Sequence, residues 1–319
     1  MANSDRLNSM DSQSISTTNS LTPTSKVAGD NWRWLVISAI ALTGAFALPL
    51  WDLAQFGFDN DLYSHCWLMP LVCSYLIWSD KAALAGQNGG NPIRVFAIIP
   101  AGLAVLSLVL FQANQSVWVG DLYENALSSL ALAYVLALYA AAVFFLNGST
   151  LKMIAFPLAI ALFTAPFPIP VKDAIVTFFQ YTSAEAAYWM LKLAGNTIYR
   201  EGLVFHLPSI SMEVAPQCSG IRSSLVLLIV SLVASHLFLK TAWKKIAIIL
   251  FVIPLAIGRN GLRIFTLGES CERISPDMIH SWIHHRGGPI FFAISLIPFF
   301  AFLFYLWKTE PKVEAKPLP

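Results

Sequence analysis

The sequence predicts an all-α fold: a polytopic integral membrane helical bundle of about eight transmembrane helices plus one amphipathic interfacial helix. Three observations carry this prediction. Hydrophobic residues make up 56% of the 319 and charged residues only 12%, and the mean hydropathy is +0.63, too apolar for an ordinary soluble domain. The apolar residues fall in runs long enough to cross a hydrocarbon core, which takes about 20 helical residues. Lysine and arginine recur in alternate connections between those runs, as expected where short cytoplasmic loops retain positive charge.

Residues 1–30 are rich in Ser, Thr, Asn and Asp and lack the apolar core of a signal peptide, so they read as a disordered cytoplasmic tail. A transmembrane domain follows over 31–307, with spans expected at 34–51, 62–78, 95–111, 126–146, 151–167, 221–239, 246–265 and 289–307. A short cytoplasmic tail, 308–319, ends the sequence. Sidedness comes from the basic residues. Lys26 and Arg33 precede the first span, Lys81 and Arg94 separate the second and third, and Lys152 begins the fifth. Lys240, Lys244 and Lys245 crowd the turn after the sixth, and Lys308, Lys312 and Lys316 follow the last. All lie on one side if both termini are cytoplasmic, which leaves Asp52, Asp59, Asp61, Asp121 and Glu124 on the other.

One segment departs from this pattern. Residues 171–193 are helical in pattern but carry Lys172, Asp173, Glu185 and several hydroxyls, and a full span here would put the lysines after residue 239 outside. The segment therefore reads as an amphipathic helix in the outer interface or packed against the bundle, with Pro166, Pro168 and Pro170 ending the span before it. Residues 199–207 and 210–214 read as short extended segments with a turn at Pro208 and Ser209.

The net charge of +2 is too small to suggest nucleic-acid binding. Four cysteines, at 66, 73, 218 and 271, show no CxxC or Cys/His metal spacing. Cys66 and Cys73 stand a heptad apart in an apolar run and read as packing residues. Cys218 is different. In EVAPQCSGIRSS it follows a polar, proline-bearing loop and stands just before an apolar helix. The exposed N–H groups and positive dipole end of such a helix favour the thiolate, the nucleophilic form, and Arg222 adds to that.

With the sidedness above, the span after Cys218 runs inward, Arg263 ends the next span outward, and His284 precedes the last inward span, so all three meet the outer face. In GRNGLRIF, Arg259, Asn260 and Arg263 lie near the end of an apolar helix on the lysine-poor side. Arginines there either snorkel to the interface or serve a polar cavity, holding a carboxylate or an oxyanion. In MIHSWIHHRGG, His280, His284 and His285 are candidate proton carriers. His280 and His284 share a helical face at i, i+4, a zinc-compatible spacing, but no third ligand stands out, so neither a metal nor another cofactor is expected. A Cys, an Arg and a His brought together by three helices suit acyl transfer through a thioester. A transporter lining a solute path with the same polar cluster, or a membrane acyltransferase using the histidines, stands as the alternative.

These residues resemble the exosortase and archaeosortase family of membrane transpeptidases. The resemblance runs from about 51 to 304 and is strongest in YREGLVFHLPSISMEVAPQCSGIRSS, NGLRIF and HHRGGPIFF, with an earlier echo in DLYSHCWLMPLVCSYLIW. It implies an inner-membrane enzyme that cleaves C-terminal sorting signals of PEP-CTERM-like form on exported proteins. Such a signal is a short motif, a transmembrane helix and a basic tail, and the acyl group passes to a surface acceptor, lipid- or polysaccharide-linked. The family's proposed catalytic Cys, Arg and His fall on Cys218, Arg263 and His284; beside them, Arg222, Arg259, Asn260 and His280 read from their positions as substrate-binding or supporting residues. Where many members carry an acidic residue after the histidine, this chain has His285.

Overall fold

The computed structural model describes residues 24–66, 68–80, 94–114, 121–282 and 287–311. Helices α1 (Thr24–Ala45) and α2 (Ala47–Asp59) meet at a 70° bend. Pro49 explains it: proline has no N–H to donate to the Ala45 carbonyl, so a continuous helix loses that bond at this point. A 3-10 turn at Asp61–Tyr63 leads to α3 (Met69–Ser79), and a 3-10 turn at Arg94–Ala97 leads into α4 (Ile98–Asn114), which packs on α5 (Asp121–Phe145). The Asn147 side chain caps α6 (Gly148–Ala161) by accepting from Thr150 N at 2.8 Å. After a 3-10 turn at Leu162–Thr164, the prolines 166, 168 and 170 turn the chain by 90° into α7 (Ile169–Leu193).

Five helices are long and apolar enough to cross a membrane, or up to seven if each bent pair counts as one span. The exact count of eight is not confirmed among the described residues. Residues 34–51 straddle the α1–α2 bend, and the described residues of 62–78 include part of a 3-10 turn and the 11-residue α3, which is too short for a span of its own. The other expected spans fall on α4, α5, α6 with its following turn, and the last three helices. Helix α1 starts at Thr24, inside the segment read as a tail.

Those last three are α8 (Ile221–Phe238), α9 (Ala242–Arg273) and α10 (Gly288–Lys308). They share a core of Leu227, Ala234, Ile248, Val252, Phe299 and Leu303. Inside a bilayer such contacts gain from close packing rather than from transfer out of water. One end is pinned by Lys244, read from sequence as a loop charge but buried. Its Nζ donates to Leu306 O at 3.0 Å and Thr309 Oγ1 at 3.1 Å, while the Glu310 carboxylate accepts from the Thr241 backbone and hydroxyl. The 32 residues of α9 span about 48 Å, longer than a hydrocarbon core of about 30 Å.

Helix α7 packs along the C-terminal half of α9. Gly261 makes the approach possible, since a Cβ there would lie 2.8 Å from Ala186 Cβ, and Gly268 meets Leu191 in the same way. Two of the charges that set 171–193 apart are engaged within the fold: Lys172 pairs with Glu124 at 2.7 Å, and Glu185 takes Arg200 and Trp189 Nε1. Three antiparallel strands, β1 (Tyr199–Glu201), β2 (Val204–His206) and β3 (Ser211–Glu213), lie in the order β1-β2-β3. The extended stretch 199–207 is thus a hairpin of its own, turning at Gly202, whose φ of +60° suits glycine. Phe205, Met212 and Val214 pack against Ala184 and Ala187 of α7 and Ile264 of α9, which gives the loop after β3 a firm floor.

Glu124 is 8% exposed and accepts from Tyr63 Oη as well as from Lys172, tying the connection after α2 to α5 and α7. Removing one partner of a buried ion pair leaves the other uncompensated, at about 3 kcal/mol. Glu124→Ala is expected to lower the thermal midpoint of the detergent-purified protein by several degrees, while Glu213→Ala, an exposed carboxylate, leaves it within error.

Candidate active site

The site is built from the segment between β3 and α8. Val214 N donates to Leu203 O at 3.0 Å and the buried Gln180 amide of α7 donates to Val214 O, so the chain leaves the sheet on a fixed course. Pro216 opens a 3-10 turn, Pro216–Ser219, in which Cys218 N donates to Ala215 O at 2.8 Å. Gly220 then enters α8 at φ +74°, and no side chain caps that helix. Cys218 is half-buried and packs on the Val214, Ala184 and Ile264 cluster.

Helix α9 grips this turn through its backbone carbonyls. Asn260 Nδ2 donates to Cys218 O at 2.7 Å. Arg259 Nη2 donates to Gly220 O at 3.1 Å and to Ser224 Oγ at 3.0 Å, and the Ser224 hydroxyl also donates to Gly220 O at 2.8 Å. The run Arg259, Asn260, Gly261 thus has one logic: two buried polar side chains hold the turn, and the glycine admits α7 behind them.

Of the residues singled out from sequence, the structure brings Cys218, Arg259 and Asn260 together. Arg263 is half-buried one turn further along α9, and Arg222 is exposed in the first turn of α8. His280 is exposed at the end of the 3-10 turn Pro276–His280, whose Ile279 packs on the same cluster as Cys218. The expected i, i+4 pairing of His280 with His284 reaches outside the described residues. Ser281, at φ −67° and ψ +161°, is extended and ends the turn at His280. His284 and His285 lie outside the described residues.

Sequence reasoning missed Gly220, Ser224 and Gln180. Only the first left a trace, a glycine directly before an apolar run. The other cysteines are poor nucleophile candidates: Cys271 is fully buried, Cys73 donates to Pro157 O at 3.3 Å, and burial pushes the Cys66 thiol, in the connection between α2 and α3, up to about 12.

The fold and site define a multi-pass helical membrane protein with a half-buried thiol at the entry to one span, on a turn whose backbone carbonyls are held by an Arg-Asn pair from the next. The family model described as transmembrane exosortase matches residues 51–301, from α2 into α10, and the chain belongs to that family. The family is one of membrane cysteine transpeptidases involved in the sorting of exported proteins that carry C-terminal signals. No curated protein and no solved structure matches the chain.

Proposed function

We propose that this chain cleaves the C-terminal sorting signal, PEP-CTERM-like in form, of exported proteins through a thioester at Cys218 and transfers the acyl group to a surface acceptor. The observation that carries the reading is the clamp on the Cys218 turn, because a nucleophile works best when its position is fixed before substrate arrives. The Cys218 sulfur attacks the scissile carbonyl, and His284 takes the thiol proton. Arg263 and the backbone N–H groups after Cys218 stabilise the tetrahedral oxyanion. Collapse breaks the C–N bond, His284 returns the proton to the leaving amine, and the acyl group stays on sulfur as a thioester. The acceptor nucleophile then attacks the thioester, forming the new bond and restoring the thiol.

Arg259 and Asn260 hold the turn, with Arg222 and His280 as supporting groups at the same end of the bundle. Both termini are cytoplasmic in this reading, and the thiol lies at the outer face of the inner membrane. A substrate tethered by its own helix then meets it at fixed depth. Residues 1–30 and 308–319 flank the transmembrane domain as cytoplasmic tails.

The test is to co-express the chain with exported proteins bearing a motif, helix and basic tail, and to read their C-termini by mass spectrometry. Loss of helix and tail only when the chain is present is expected. The new terminal mass distinguishes water from another acceptor, and hydroxylamine releases a hydroxamate if a thioester forms. Intact tails throughout would reject the reading.

A further inference from the structure

Arg259 does more than its two contacts require. It is only 6% exposed, yet its Nη1 has no hydrogen-bond partner among the described residues. A buried guanidinium with an unsatisfied nitrogen carries a large desolvation cost that an anion would relieve. Beside it, the uncapped start of α8 presents backbone N–H groups and the positive end of its dipole. Both features favour negative charge at the start of α8, where Arg259 Nη2 meets Gly220 O and Ser224 Oγ.

Below that spot lies an apolar groove of about 430 Å³ between α7, α8 and α9. Ser224 joins the two, since it lines the groove and accepts from Arg259 Nη2. From there the groove follows Leu225 and Leu228 down α8, and Leu250 and Ile253 along α9. The antiparallel course of these helices takes it away from the Cys218 end toward the middle of the bundle. Its rim residues Phe178, Leu250 and Ile253 are 48%, 56% and 42% exposed on apolar helix surface, so it opens sideways toward lipid.

We infer that Arg259, the α8 N-terminus and this groove form a binding site for one anionic membrane phospholipid, with the phosphate at Arg259 and an acyl chain in the groove. A peptide helix suits it less well: the volume is that of a small-molecule pocket, and a helix about 10 Å across does not enter it. Arg259 also holds the Cys218 turn, but none of the lipid recognition uses the Cys218 sulfur.

The test uses the full-length chain, purified and delipidated in neutral detergent, titrated by native mass spectrometry with phosphatidylglycerol or phosphatidylcholine. One phosphatidylglycerol per chain is expected, bound about tenfold more tightly than phosphatidylcholine. Arg259→Gln should erase that preference and Arg259→Lys keep it, while Ala174→Trp, at the groove rim on α7, should weaken both lipids about tenfold. The tryptophan variant carries the test if Arg259→Gln does not fold. Equal binding of the two lipids, or binding unchanged by Ala174→Trp, overturns the site. Displacement by millimolar inorganic phosphate would mark a free-anion site, and displacement by a synthetic apolar helix with a basic tail would mark a peptide groove; either overturns the lipid assignment.

Discussion

Cys218→Ala is expected to abolish processing of sorting-signal substrates, a loss of about 10⁵-fold or more, because removing the nucleophile of a covalent mechanism leaves no alternative route through the same intermediate. Cys218→Ser is expected to be nearly as inactive, since a hydroxyl is far less acidic than a thiol and the site was not built to deprotonate it. The structure makes these unusually clean substitutions. Asn260 binds the carbonyl of residue 218 and Arg259 the carbonyl of residue 220, so the clamp engages main-chain atoms and survives loss of the sulfur. The side chain is half-buried, so truncation should cost about 1 kcal/mol or less, and insertion, yield and thermal midpoint should match wild type. The measurement is the C-terminal mass of a co-expressed substrate, with the enzyme quantified in the membrane fraction. Full processing by either variant removes Cys218 from the mechanism; loss of processing together with loss of folded protein would show that the premise of a clean substitution is wrong.

What was legible in the sequence follows from how local each signal is. Runs such as 95–111 and 289–307 announce themselves because about 20 apolar residues in sequence are enough to define a span. The thiol before an apolar helix and the arginines at the end of the next were legible for the same reason. Bends were harder. Pro49 lies inside an apolar run, and hydropathy does not report the single missing N–H that breaks α1 from α2. Lys172 looked like a residue that keeps its helix at the interface, and only the fold reveals that Glu124, 48 residues away in sequence, meets it. Asn260 carries no local sign that its partner is a carbonyl 42 residues earlier. Three-dimensional pairing decides the role of such residues, and the sequence supplies only their chemical types.

Gly220→Ala is expected to cost at least about 100-fold in processing, although it removes no functional group. Two effects combine. At φ +74° an alanine is strained by roughly 1–2 kcal/mol. More damaging, its Cβ would stand 2.9 Å from both Asn260 Cγ and Oδ1 and 3.2 Å from Arg259 Nη2. Asn260 is buried between α9 and the turn and has little room to retreat, so relief must come from its contact with Cys218 O or from the turn. Either way the thiol moves, and a displacement of about 1 Å is enough for a loss of that size. Gly195 separates position from strain. It has φ +86°, but a Cβ added there would meet nothing within 4 Å, so Gly195→Ala carries similar backbone strain without pressing on the clamp. Gly195→Ala should lose thermal stability in detergent from the strain alone and Gly220→Ala more than that, whereas only Gly220→Ala should lose processing at permissive temperature. Equal activity losses in the two would mean that folding, and not the seating of Cys218, limits the enzyme; near wild-type activity in Gly220→Ala would mean that the clamp does not set the thiol's working position.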